Sequence, residues 1–262
     1  MAAEPLKAYF EAFAKHYDPL IDWTFREPFE IQLWRRLLER WSVHAALDCA
    51  CGSGFHLELL TRLGVRMSGC DFSEAMVERA RERTTGIADR LDIRRCSWND
   101  LAREYAEPFD MVMCVGNSLA YVESKAERAR HVEAMLSLVR PGGIFVAECL
   151  NYELLIEERT PFLPVYHRES PDGSMVDLGH VMTYREGAVD VHVYIVHESP
   201  DGKLLDRMHH VRTYTVLRAP FADYLRKAGC SEVHFFSGDI DNLVPFDQAR
   251  DRRWFCVAVR GS

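Results

Sequence analysis

The stretch LDCACGSGFH, Leu47 to His56, gathers two cysteines, two glycines, an aspartate and a histidine into ten residues. Three chemistries compete for it: a metal site, a nucleophile with its base, or a loop that holds a nucleotide. Cys49-x-Cys51 has no second cysteine or histidine pair at zinc-finger spacing, and the chain has no C-x-x-C. The eight cysteines (Cys49, Cys51, Cys70, Cys96, Cys114, Cys149, Cys230 and Cys256) are spread over most of the length, several inside apolar, strand-like runs. Free cysteine in a reducing compartment behaves as a small buried hydrophobe. No metal is expected. Cys51 reads as a loop cysteine beside a ligand, and His56 as a structural residue of the helix that follows.

The surrounding elements must position this loop. Residues 5 to 41 carry apolar and aromatic residues at helical spacing, broken at Pro19. Their aromatics read mainly as core packing. From His44 the pattern alternates. HAALDCA reads as a strand, followed by the glycine turn and a helix through FHLELLTRL. VRMSGCD is a second strand, and Ser73 caps the helix after it. LDIRRCSW and FDMVMCVGN are the third and fourth strands. ESKAERARHVEAMLSLVR is a long helix stopped by PGG, and IFVAECLN is the fifth strand. After Tyr152 come MVDLGHVMTY, AVDVHVYIVH and LLDRMHHVRTYTVL, strands joined by turns; the pentad ESPDG, at Glu169–Gly173 and Glu198–Gly202, is turn chemistry. A helix and two closing strands end the chain.

These alternations predict an α/β fold with a doubly wound, mostly parallel seven-stranded sheet. They divide one domain into a helical cap (1–42), an α/β core (43–152), an antiparallel β insert over the substrate site (153–218) and a return of the core (219–262). The 262 residues carry a formal charge of −8 without a dense Lys/Arg tract, which argues against a nucleic-acid partner. No apolar run approaches a membrane span and the N-terminus lacks the apolar block of a secretory signal, so a cytoplasmic protein with no membrane contact is expected.

In an open α/β sheet, ligands bind outside the carboxyl ends of the strands. A dinucleotide loop needs G-x-G-x-x-G, but after Gly52 and Gly54 position 57 is leucine. The acid at the end of the second strand, Asp71, is present and suits ribose hydroxyls. The pattern keeps the ribose half of nucleotide binding and lacks the third glycine of the pyrophosphate half. A nucleoside without phosphates fits best.

LDCACGSG, the acidic CD after the second strand, SW after the third, VGNS after the fourth and RPGG before the fifth together resemble a class I S-adenosylmethionine-dependent methyltransferase, with a Rossmann-like fold. CVGNSLAY and LNYELL are most similar to the glycine/sarcosine N-methyltransferase group. The resemblance implies S-adenosyl-L-methionine as cofactor, S-adenosyl-L-homocysteine as product, and a small-molecule acceptor. It places Asp48 and the Ala50, Cys51, Gly52 and Gly54 backbone around the methionine portion. It puts Asp71 on the ribose, Phe72 and Met76 near the adenine, Ser97 and Trp98 at its edge and face, and Arg26 on the cofactor carboxylate. Val115, Gly116 and Asn117 would line the transfer centre, with Tyr17 and Tyr121 beside Asn117 as catalytic candidates. Tyr9, Asn117, Asn151, Tyr152, His210 and Tyr214 are the substrate-binding candidates. The family more often has Asn or Asp where Ser97 stands.

The glycine enzymes of this group carry an arginine for the substrate carboxylate in an R-N-Y-D segment, where this chain reads Leu150-Asn151-Tyr152-Glu153. Leucine cannot fork hydrogen bonds to a carboxylate. Unless Arg168, Arg185 or Arg212 replaces it, a larger amine fits better than glycine. His180, His192, Tyr194, His210 and Tyr214 of the insert either line a pocket or form a wet sheet face. No general base stands out, which suits amine transfer better than transfer to a hydroxyl. An O-, S- or C-acceptor, an NAD(P)-linked oxidoreductase, and a non-catalytic nucleoside-binding module remain the alternatives. Whether the chain forms a homo-oligomer stays open.

Overall fold

The computed structural model describes residues 4–21, 23–169, 173–237 and 243–262. Two helices lead the chain, α1 (Glu4–Ile21) and α2 (Trp23–Trp41). The break expected at Pro19 falls later, because α1 runs through it to Ile21; Pro28 sits inside α2. A proline in a helix forfeits one backbone hydrogen bond. Here the burial of aromatic faces outweighs that loss.

The core follows as β1 (Ala45–Asp48), α3 (Phe55–Arg62), β2 (Arg66–Asp71), α4 (Glu74–Arg83), β3 (Leu91–Arg95), α5 (Leu101–Glu104), β4 (Phe109–Cys114), α6 (Lys125–Ser137) and β5 (Val139–Leu150). Its strands read as apolar runs because helices cover both faces; all four residues of β1 are buried. Ser73 and Ser124 cap α4 and α6 by accepting from the amides of Met76 and Glu127. Sequence reading has PGG ending a helix that runs to Arg140. In the fold α6 ends at Ser137, and residues 141–143 lie inside β5, at an irregularity in its pairing with β4.

The insert comprises α7 (Tyr152–Glu158), β6 (Phe162–Glu169), β7 (Met175–Arg185), β8 (Ala188–Glu198) and β9 (Leu204–Tyr214), and the core returns with α8 (Arg218–Lys227), β10 (Cys230–Ser237) and β11 (Arg253–Arg260). Seven strands form one sheet in the order β10-β11-β5-β4-β1-β2-β3, and four form a second, β6-β7-β8-β9. The pairs of β11 with β10 and β5 are antiparallel; the rest of the large sheet is parallel. The mostly parallel seven-stranded expectation holds. The chain winds outward from β1 through β2 to β3, then returns to the other side of β1 as β4, so the order reverses between β1 and β4. That reversal opens a crevice at the strand ends.

The two sheets are joined through α1, which packs against α4 on one side and β6, β7 and β9 on the other. Arg128, buried on α6, adds a second link by donating to the carbonyls of Leu119, Val122 and Thr215. Residues 170–172, in the first ESPDG turn, lie outside the described residues. Among the described residues no helix is long and apolar enough to cross a membrane.

Candidate active site

A cavity of about 370 Å³ lies at the carboxyl ends of the parallel strands. Its floor and walls are residues 49–53 after β1, Asp71 and Phe72 after β2, residues 96–99 after β3, Val115, Gly116 and Ser118 after β4, and Glu148 on β5. Its roof is α1, with Leu6, Tyr9, Phe10, Phe13 and Tyr17, continued by Trp23 and Arg26 of α2. The roof aromatics, assigned to core packing from the sequence, therefore face a cavity. Helical periodicity marks an apolar face but not what that face meets.

The turn after β1 is built by hydrogen bonds. Asp48 Oδ1 accepts from the Ala50 amide (3.0 Å), and the Cys51 amide donates to the Cys70 carbonyl (3.0 Å). The Gly52 amide donates to Asp71 Oδ2 (3.1 Å) and the Ser73 amide to Oδ1 (2.9 Å). This ties the two ligand loops together. The two glycines of the loop do different work. Gly52 has φ +53° and a side-chain carbon there would meet nothing closer than Tyr17 at 3.9 Å, so its backbone is open to a ligand. Gly54 also has positive φ, but a Cβ there would lie 2.9 Å from Ala80 Cα, so it serves the packing of α3 on α4. Leu57, standing where a dinucleotide fold has its third glycine, is fully buried over Gly69 of β2, where a Cβ would come within 2.7 Å of it. Close helix–strand packing is here obtained by a glycine on the strand.

Burial pushes Asp71 up to about 6, opposed by the Ser73 and Gly52 amides, and pushes Asp48 likewise to about 6. Asp71 lines the cavity; Asp48 lies beneath the loop, off the wall, with Oδ2 buried and unpartnered. Burial also raises the phenols of Tyr9 and Tyr17, and that of Tyr121 to about 12, so all three stay protonated. Cys51 is held well above the ordinary thiol range by burial, which makes it inert as a nucleophile. Arg26 reaches Glu30 (2.6 Å) and stacks over Trp23 at 5.1 Å. Burial alone would raise Glu30, but His56 and Arg26 outweigh it and hold the carboxyl at about 2. His56 is thus a wall residue anchored to α2.

The sequence candidates divide. Tyr9, Tyr17, Arg26, Ala50, Cys51, Gly52, Asp71, Phe72, Met76, Ser97, Trp98, Val115, Gly116 and Tyr121 all line the cavity. Trp98 is fixed there by its indole N–H, which donates to the Cys49 carbonyl (2.6 Å). Ser97 Oγ accepts from the Asn99 amide (3.4 Å), a local turn contact. Asn117 is off the wall: its amide donates to Tyr152 Oη (3.0 Å) and its Oδ1 accepts from the Leu150 amide (3.1 Å). Tyr152 is fully buried behind it. Asn151 caps α7 and donates to the carbonyls of Gln248 and Asp251, each at 2.8 Å. These three residues brace the site from behind.

None of the insert candidates whose side chains are described lines the cavity. The strand register puts His192 opposite His210, while His180 pairs with Val193, so His180 and His192 occupy opposite faces of the sheet. His210 falls on β9, and its side chain lies outside the described residues. Tyr214 interacts with Glu123 and Arg212. Arg185 and Arg212 both close on buried Asp190, and Arg168 donates to the His167 carbonyl. The missing arginine of the R-N-Y-D segment is not replaced on the cavity wall by any of the three.

Glu148 is a residue the sequence reading missed. Its Oε2 accepts from the Gly116 amide (2.9 Å), its Oε1 pairs with Arg253 (2.9 Å), and its carbonyl accepts from the Asn117 amide (3.2 Å). An acid within the apolar run IFVAECL was the available signal. Ser118 was also missed; it lines the cavity and donates to the Val115 carbonyl (2.9 Å).

Residues 46–143 match a family described as a methyltransferase domain. Among curated proteins it is similar to the glycine/sarcosine N-methyltransferase of Aphanothece halophytica, 30% identical over 150 residues, 57% of each chain. The chain spans about half the length of the curated relatives it matches. Its fold is shared with an S-adenosylmethionine-dependent methyltransferase from Clostridium acetobutylicum (TM-score 0.77, 14% identity, covering 96% of this chain and 98% of that one). It is shared too with the sugar N-methyltransferase KedS8 from Streptoalloteichus sp (TM-score 0.66, 22% identity, 88% and 85% covered).

Proposed function

We propose that this chain is an S-adenosylmethionine-dependent methyltransferase acting on a small-molecule amine. The observation that carries the reading is a buried, cavity-lining Asp71 tied to the open Gly52 backbone, within a methyltransferase domain and at the point where strand order reverses. The residues fit the cofactor. Gly52 and Gly116 leave their backbones bare toward the cavity, with no atom near enough to crowd an added carbon. Asp71 would accept from the ribose hydroxyls, Phe72, Met76 and Trp98 would pack the adenine, and Arg26 would meet the cofactor carboxylate. When bound, the cofactor supplies a methyl on a sulfonium, which passes to the acceptor lone pair while the C–S electron pair stays on sulfur. The α1 roof excludes water and fixes the approach. The protonated phenols of Tyr9, Tyr17 and Tyr121 orient the acceptor without serving as bases. The named activities of the N-methyltransferase relatives support nitrogen as the acceptor atom.

Calorimetric titration with S-adenosylhomocysteine, NAD⁺ and NADP⁺ tests the proposal. Micromolar or tighter binding of the first, weakened in Asp71→Ala, is the expected result. Preference for a dinucleotide, or no binding, overturns it.

A further inference from the structure

We infer that the acceptor is an amine without a carboxylate, and that the cavity holds it in its N-methylated, cationic forms. This rests on the methyltransferase reading and narrows its substrate class. Three observations converge. First, the roof is aromatic, and Tyr121 extends it onto the wall. Phe10 meets Tyr121 edge-on at 5.3 Å, Tyr9 stacks on Phe13 at 5.1 Å, and Phe13 meets Tyr17 at 5.5 Å. Aromatic faces attract ammonium groups, and methyl substituents on the nitrogen keep that attraction while packing against the rings. Second, the ionisable side chains on the wall lean one way. Glu123 and Glu127 stand on the wall beside Asp71, assigned to the ribose, and Glu148, paired with Arg253, while the single guanidinium among the described lining residues, Arg26, is paired with Glu30 and assigned to the cofactor carboxylate. A substrate carboxylate would meet like charge in a low-dielectric space; an ammonium would not. Third, the phenols beside the rings are held protonated, so they offer dipoles rather than a base. A tertiary amine that has lost its proton to solvent before entry suits that arrangement, because forming its fourth N–C bond leaves no proton to remove.

The test uses tetramethylammonium as the probe, titrated into the full chain saturated with S-adenosylhomocysteine, whose sulfur is uncharged. Binding should be detectable, and acetate and glycine should fail to compete. Tyr121→Leu should weaken tetramethylammonium roughly 3- to 30-fold, while Tyr121→Phe, which keeps the ring, should retain it; thermal melts and far-UV circular dichroism of the same variants report an intact fold. Absence of tetramethylammonium binding to the loaded protein overturns the inference. So does binding only when S-adenosylhomocysteine is absent, since the rings then serve the cofactor's own sulfonium. Acetate or glycine binding as tightly overturns it too. Failure of S-adenosylhomocysteine itself to bind removes the methyltransferase reading beneath it.

Discussion

Asp71→Asn isolates the charge at the centre of the proposed cofactor site. The replacement keeps the side-chain shape and an oxygen for the Ser73 amide, but it leaves one carbonyl oxygen where two carboxylate oxygens now serve Ser73, Gly52 and the ribose. Hydrogen bonds to an ionised group contribute about 1.5–3 kcal/mol, and neutral ones about 0.5–1.5. Losing that difference at two ribose contacts costs about 2 kcal/mol, roughly a 30-fold drop in affinity. Acidity gives an independent signature. Burial holds Asp71 at about 6 in the free protein, and ribose hydroxyls need the ionised form. Wild-type affinity for S-adenosylhomocysteine should therefore fall as pH drops through 6, being about tenfold weaker at pH 5 than at pH 7. Calorimetry at pH 5, 6 and 7 reads both effects. The variant should bind weakly with little pH dependence. An Asp71→Asn profile as steep as the wild type's would refute the assignment and move the titration elsewhere.

Asp48 and Asp71 have folded values near 6 against 3.8 unfolded, so the stability linked to each is present below 3.8 and lost as pH rises through 6. Asp48→Asn should accordingly stabilise the ligand-free protein at pH 7, by about 1–3 kcal/mol, and the gain should vanish by pH 4 in thermal melts. Gly54→Ala forces a carbon to 2.9 Å from Ala80 at φ +83° and should destabilise the fold by about 2–4 kcal/mol; unchanged melting would contradict that packing. Asp190 is held at about 2, chiefly by its hydrogen bond from Arg212 and also by Arg185, so its stabilisation is present above 3.8 and lost as pH falls through 2. Asp190→Asn should lower the melting temperature at pH 7 by about 2–4 °C, screened by the exposure of both arginines.

The parallel core was legible because β1 and β4 are buried on both faces and so appear as unbroken apolar runs between helices with clear serine caps. Gly52 and Asp71 were legible because a ligand loop needs special backbone freedom and a buried acid, both rare enough to notice. What faces the apolar stripe of α1 was not legible, since a core and a cavity demand the same periodicity. Strand β6 escaped notice because Pro164 interrupts it, and its pairing with β7 shifts register between Leu163 and Tyr166. Asn117 follows Gly116 in a left-handed turn, and its bonds to Leu150 and Tyr152 turn the amide away from the cavity. Only tertiary contacts decide that orientation.

The position of β11 has a consequence for how the protein is made. It pairs with β5 on one side and β10 on the other, yet it follows both in the chain. Until residues 253–260 leave the ribosome, the apolar edge of β5 has no neighbour and is open to association with other nascent chains. The same strand's first residue, Arg253, balances Glu148, whose other oxygen fixes Gly116. The cavity's roof comes from the first helix described and this anchor from the last strand. Both elements must dock before a ligand finds a finished site, so the parallel core alone does not make a competent protein.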